Sequence, residues 1–94
     1  MMTKVQSSEG LVPKIVTPLP GPKAKTILER EKTFVSGSHT KGYPLVADHG
    51  EGCFVWDVDG NCFLDFASGI AVNLLGHNHP RINEAVTEQM KKLA

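Results

Sequence analysis

The sequence predicts an α+β fold: an N-terminal arm and helix, a small antiparallel sheet with an Asp59-Gly60 hairpin, and a C-terminal amphipathic helix. Three observations carry this reading. Asp59-Gly60 separates two runs rich in β-branched and aromatic residues, 53–58 and 61–66. Ala24, Ile27 and Leu28 recur at helical spacing behind Pro22. Ile82, Ala85, Val86, Gln89, Met90 and Leu93 do the same behind Pro80.

Residues 1–22 hold four of the six prolines, at 13, 18, 20 and 22. Proline removes a backbone donor and biases the residue before it to extended conformations. The segment reads as an extended arm on a larger body rather than a disordered tail, because Ile15, Val16 and Leu19 give it apolar contacts to make. A helix over 23–33 follows, with Pro22 suited to its first position, and Ser36-Gly37-Ser38 ends it. Residues 43–50 read as a short strand carrying Leu45 and Val46.

Asp59-Gly60 is the signature of a type I′ hairpin, in which both central residues need φ > 0. With that turn Val58 faces Asn61, Trp56 faces Phe63 and Val55 faces Leu64. One face then holds Cys53, Val55, Cys62, Leu64 and Phe66, and the other Phe54, Trp56 and Phe63. Both are apolar, so both are expected to be covered. In this register Cys62 lies opposite Asp57, roughly 13 Å along the strand from Cys53, too far for a disulfide. Both cysteines are expected to be core thiols.

Residues 67–79 are rich in turn formers. In the last helix Pro80 suits the first position and Glu84 the positive end of the helix dipole. Its apolar stripe reaches the end of the chain without a stop signal, so the helix is expected to run on and the chain to be part of something larger.

The 94 residues allow one small domain, which buries only about 60–65% of its unfolded surface. Lys plus Arg is 10 and Asp plus Glu is 10, so no net field draws in nucleic acid. Lys23 and Lys25, followed by Glu29 and Glu31, read as a solvated helix face. Two cysteines make no disulfide framework. Residues 1–10 are polar, without the apolar core of a secretory leader, and no Arg-rich transit peptide is visible. The apolar run 69–76 is broken by Asn73 and is far short of the ~20 residues of a membrane span. A soluble cytoplasmic protein with no membrane or nucleic-acid partner is expected.

His77 and His79 invite a metal reading, but structural zinc needs four ligands and catalytic zinc three. Cys53, Cys62, His39 and His49 lack ligand spacing. The two histidines are expected to hydrogen-bond backbone at the entrance to the last helix. Asp59 and Asp57 are explained by the turn and its flank. Asp65, between Leu64 and Phe66, reads as a partner for nearby backbone donors. No hydrolase elbow and no phosphate-binding glycine loop occurs.

The order of the short motifs is more specific than any one of them. Pro20-Gly-Pro-Lys-Ala24 comes first, then Tyr43-Pro-Leu-Val46, then Gly52-x-x-Val55-x-Asp-x-Asp-Gly-Asn-x-Phe-Leu-Asp-Phe66. Gly69-Ile-Ala-Val72 follows, then Gly76-His-x-His-Pro80 and a helix with Gln89. Residues 19–94 thereby resemble the N-terminal region of class III aminotransferases, the fold-type I pyridoxal-phosphate (PLP) enzymes. The lead-in is more similar to the 4-aminobutyrate branch. Gly69-Ile-Ala-Val-Asn-Leu-Leu-Gly-His77 also resembles acetylornithine aminotransferases, and broad-specificity racemases sit in the same family.

The resemblance implies an arm over residues 1–22 and, over 23–94, the incomplete first part of the small domain, leading toward a large PLP-binding domain. It implies that Gly69, Ile70 and Ala71 line the substrate pocket as an apolar wall. The complete enzyme would be a homodimer moving an amino group, in ping-pong fashion, from an amino acid or ω-amino acid such as 4-aminobutyrate to a 2-oxo acid such as 2-oxoglutarate. The family's catalytic lysine, the acid facing the pyridine nitrogen and the phosphate ligands all lie beyond this stretch. Lys91 and Lys92 do not match that lysine. No catalytic and no cofactor-binding residue is assigned, and the chain alone is expected neither to bind PLP nor to be active. The competing reading is a non-catalytic interaction module that binds a full-length partner through its apolar faces.

Overall fold

The computed structural model describes residues 12–39 and 41–94. The expectations for residues 1–10 and for the first half of the arm lie outside these.

Helix α1 (Pro22–Phe34) begins with proline at its first position, as expected. Its N-cap, Gly21, has no side chain to cap with. The cap comes from Asp59, whose Oδ1 accepts from Lys23 N at 2.8 Å and Oδ2 from Ala24 N at 2.9 Å. Asp59 therefore has a second task beyond the turn to which the sequence assigns it. It satisfies two of the orphan donors that open every helix. On the solvent side Lys32 pairs with Glu29 at 3.0 Å and Lys41 with Glu31 at 2.6 Å.

Strands β1 (Ala47–Glu51), β2 (Phe54–Asp57) and β3 (Cys62–Leu64) form an antiparallel sheet in the order β1-β2-β3. The expected strand over 43–50 starts late. Leu45 N bonds back to Tyr43 O at 3.0 Å, a tight bend across Pro44 that delays the ladder to Ala47.

The hairpin is present, but its register is one residue away from the expectation. Phe54 faces Leu64, Val55 faces Phe63 and Trp56 faces Cys62. Asp57 N donates to Asn61 O at 3.0 Å and Gly60 N to Asp57 O at 3.2 Å, leaving a three-residue loop. Within it Gly60 has a positive φ of 86°, whereas Val58 and Asp59 do not. A type I′ turn would require it of Asp59 as well. The reason is the Asp57 side chain, whose Oδ1 accepts from Asp59 N at 2.9 Å and Asn61 N at 2.8 Å. The shift regroups the faces: Phe54, Trp56, Cys62 and Leu64 share one, and His49 stacks on Trp56 at 4.7 Å. Both cysteines are free, but only Cys62 is buried; Cys53 is exposed, against the expectation of two core thiols.

The described part of the arm joins the free edge of β3. Lys14 exchanges both backbone hydrogen bonds with Cys62, at 2.9 and 2.8 Å. Asn61, fully buried, ties the arm down. Its Oδ1 accepts from Val16 N at 2.6 Å and Thr17 N at 3.0 Å. Its Nδ2 donates to Thr17 Oγ1 at 2.8 Å and Asp57 Oδ2 at 2.9 Å. All four hydrogen-bonding positions of the amide are filled.

Helix α3 (Pro80–Met90) again starts at its proline. It ends at Met90 rather than running on, with Lys92 N and Leu93 N both turned back to Gln89 O at 2.9 Å. Neither α1 nor α3 lays a face on the sheet. Ile82, Val86 and Met90 remain half or more exposed. The buried side chains among the described residues are Ala24, Cys62, Asp57 and Asn61, a core as polar as it is apolar. The radius of gyration is 15.5 Å, against roughly 12 Å for a compact domain of this length. No helix among the described residues is long and apolar enough to cross a membrane.

Candidate functional site: the loop between Asp65 and His77

Where β3 ends, Asp65 N donates to Cys53 O at 2.8 Å. Its carboxylate then turns forward, Oδ1 accepting from Ala67 N at 2.7 Å and Ser68 N at 3.0 Å. This is the side-chain turn that aspartate makes readily, and it is the role in binding backbone donors that the sequence suggests for Asp65. The next segment departs from any sequence expectation. The helical turn α2 (Ser68–Ala71) is left-handed, with φ of 52°, 61°, 66° and 63° at Ser68, Gly69, Ile70 and Ala71. Ala71 N donates to Ala67 O and Val72 N to Ser68 O, both at 2.9 Å. Each L-residue in such a turn costs about 1–2 kcal/mol relative to the right-handed form. Three of the four residues here have no glycine freedom.

The loop closes at His77. His77 and Gly52 exchange backbone hydrogen bonds at 2.8 and 3.1 Å. The His77 ring does not bond backbone, as the sequence suggests; its Nε2 meets Asp65 Oδ2 at 2.6 Å, and Asn73 Nδ2 approaches its Nδ1 at 3.3 Å. With Nε2–H donating to the carboxylate, Nδ1 is the acceptor for the Asn73 amide. His79 does follow the expectation: its Nδ1 accepts from Arg81 N at 3.2 Å and caps α3.

The Asp65 carboxyl is held below its ordinary value of 3.8, first by the His77 ring and next by the Ala67 amide, with burial opposing them and the Ser68 amide adding a smaller effect. It is a committed carboxylate, not a proton donor. Burial would raise the Asp57 carboxyl, but the Asn61 side chain and the backbone amides of Asn61, Asp59 and Gly60 together bring it below 3.8. Burial pushes the Cys62 thiol up, a backbone bond to Lys14 opposing it.

Gly69, Ile70 and Ala71 thus lie in a row at the tip of a loop pinned at both ends, and all three are exposed. Ile70 is 91% exposed, with Val72, Leu74 and Leu75 bare beside it. The tip is apolar and carries no group that could move a proton. The Asp65–His77 contact, by contrast, had no sequence signal, since a separation of 12 matches no helical or strand spacing.

No group of three or more metal-ligating side chains occurs among the described residues. The donors present do not fit PLP either. Asp57 is engaged by its own turn and Asp65 by its turn and His77, and Lys91 pairs with Glu88 at 3.0 Å on an exposed helix face. Nothing among the described residues cradles a phosphate, so no step through that cofactor is assigned to them.

Comparison with known proteins gives a consistent picture. Residues 35–94 match the family model described as aminotransferase class-III. The alanine/serine racemase of Pyrococcus horikoshii is 49% identical over 80 residues, which are 84% of this chain and 17% of that protein. The 4-aminobutyrate aminotransferase GabT of Escherichia coli K12 is 43% identical over 70 residues, 74% of this chain and 16% of that one. The crystal structure of acetylornithine aminotransferase from Elizabethkingia anophelis superposes with a TM-score of 0.68 at 41% identity, covering 76% of this chain and 18% of that chain. The chain spans less than a fifth of the length of each.

Proposed function

Because the chain belongs to the class-III aminotransferase family, we propose that it forms the N-terminal part of a PLP-dependent enzyme that moves an amino group from an amino acid or ω-amino acid to a 2-oxo acid. Residues 1–22 serve as the arm, and residues 23–94 as the first part of a small domain in a soluble, cytoplasmic homodimer. PLP, held by the rest of the protein, supplies the electron sink for the transfer.

The contribution of this chain is a wall. Gly69, Ile70 and Ala71 face the carbon chain of the bound donor. The isoleucine side chain excludes water there and orients the donor by apolar contact, which strengthens every polar interaction made deeper in the pocket. The observation that supports this is the left-handed turn, which holds Ile70 out of the loop at 91% exposure and at torsions a β-branched residue rarely adopts.

The Pro20-to-Ala24 lead-in favours 4-aminobutyrate as donor. Acetylornithine is the second reading, favoured by the superposition on the Elizabethkingia enzyme. The test is steady-state assay of the full-length, PLP-loaded protein with 4-aminobutyrate, N-acetylornithine and L-alanine as donors and 2-oxoglutarate as acceptor. Glutamate formation from one of the first two supports transfer and chooses the branch. Interconversion of L- and D-alanine with no glutamate formed overturns transfer in favour of racemisation.

A further inference from the structure

We propose that Asp65 and His77 are a positioning pair that fixes the loop 66–76, and through it Ile70, in one place relative to the sheet. The inference rests on reading Ile70 as a wall of the donor pocket.

Both feet of the loop stand on the same short turn between β1 and β2. Asp65 N donates to Cys53 O, and His77 N to the neighbouring Gly52 O, each at 2.8 Å. Glycine suits position 76, where φ is 88° and a Cβ would press to 3.0 Å from the Gly52 backbone. The side chains then close the ring above the backbone: Asp65 Oδ2 to His77 Nε2 at 2.6 Å. The same two residues reach into the loop. The other oxygen of Asp65 holds the Ala67 and Ser68 amides, where the left-handed turn begins. The other nitrogen of His77 meets Asn73, just past the place where the turn ends. One carboxylate–imidazole–amide chain therefore touches the start, the far side and the end of the segment.

That arrangement answers a physical question the loop raises. Left-handed torsions at Ser68, Ile70 and Ala71 persist only where their surroundings over-determine them. Ile70 is bare, so burial of its side chain does not hold it there. The hydrogen bonds anchored on Asp65 and His77 do. Without them the turn relaxes toward ordinary torsions, and the Ile70 side chain swings to another direction. Neither residue touches the reacting atoms; both act through the loop.

The test uses the full-length, PLP-loaded enzyme with four variants: Asp65→Ala, His77→Asn, His77→Gln and, as reference, Ile70→Ala. A glutamine carries its terminal nitrogen about as far as Nε2 of histidine, whereas asparagine reaches only as far as Nδ1. Two quantities are read: deuterium uptake across residues 66–76 by mass spectrometry, and the KM-against-kcat split for the amino donor. Asp65→Ala and His77→Asn are expected to raise uptake and to raise the donor KM roughly tenfold, with kcat changed less than about twofold. His77→Gln is expected to recover most of both. Unchanged uptake in Asp65→Ala and His77→Asn overturns the pairing. Raised uptake with an unmoved donor KM, while Ile70→Ala does move it, overturns the positioning role alone. An unmoved KM in Ile70→Ala removes the pocket reading and this inference with it. Where Asp65→Ala fails to fold, the contrast between His77→Gln and His77→Asn decides.

Discussion

Gly21 and Asp59 stand so close that a Cβ added to Gly21 would lie 2.5 Å from the Asp59 carboxyl carbon. The proximity lets a hairpin turn cap a helix that precedes it by 35 residues, through Asp59 bonds to Lys23 N and Ala24 N. Asp59→Ala is expected to destabilise the fold by about 1–2 kcal/mol, the cost of a lost N-cap. Asp59→Asn, which keeps one acceptor oxygen, should cost roughly half as much. Gly21→Ala should match or exceed Asp59→Ala, because the carboxylate must move away to admit the methyl group. Urea unfolding midpoints rank the three, and a neutral Asp59→Ala would disprove the cap.

The Asn61 side chain makes four hydrogen bonds in full burial. Asn61→Ala leaves the Val16 and Thr17 amides without their acceptor and Asp57 without one donor. The expected loss is about 2–3 kcal/mol, the scale for stranding buried polar groups. Limited proteolysis checks the mechanism: cleavage near residues 14–19 should appear in the variant before the sheet itself is cut.

Acid should weaken the fold through Asp57 and Asp65. Both are held below 3.8, Asp57 by hydrogen bonds that outweigh burial and Asp65 first by His77. A carboxyl whose folded value is depressed binds its proton more weakly folded than unfolded. Its stabilisation is therefore full above the unfolded value and is lost as pH falls through the folded one. Unfolding free energy should be flat from neutral pH down to about 5 and drop below about 4. Asp65→Asn should be less stable at neutral pH and lose less on acidification. A slope unchanged from that of the parent would exclude Asp65 as a contributor.

Ile70 should show a conflict between stability and function. Asparagine visits left-handed torsions far more readily than a β-branched residue. Since Ile70 buries almost nothing, Ile70→Asn is expected to gain roughly 1 kcal/mol of stability. The same change should weaken binding of the amino donor. Thermal unfolding and donor KM measured on one preparation decide it; a destabilised variant would contradict the torsion argument.

The two cysteines should differ sharply in reactivity. Cys53 is exposed, whereas Cys62 is buried and its thiol is pushed up by that burial. Iodoacetamide at pH 8 should alkylate Cys53 in the folded chain and reach Cys62 only in denaturant, as peptide mass mapping can show. Equal labelling of both would mean that the arm does not cover the edge of β3.

What could be read in advance was set by local chemistry. Pro22 and Pro80 opened their helices as their fixed φ dictates, and Asp59-Gly60 turned the chain. The register failed because the same Asp-Gly pair serves two hairpin geometries. The choice between them fell to the carboxylate of Asp57, two residues earlier. The left-handed turn left no trace, because Ser68, Ile70 and Ala71 have no intrinsic preference for it. Family resemblance alone points to residues 69–71 as a pocket wall, and neither source points to the contact between Asp65 and His77.

The turn at Ser68–Ala71 also inverts the usual preference for chirality. Over these four positions the backbone follows the mirror image of the common helix, so a D-amino acid is the relaxed choice and the natural L-form the tense one. A chain assembled by chemical ligation with D-alanine in place of Gly69 should keep its shape with a stiffer loop. The same unit placed in α1 or α3 would cost that helix about 1–2 kcal/mol.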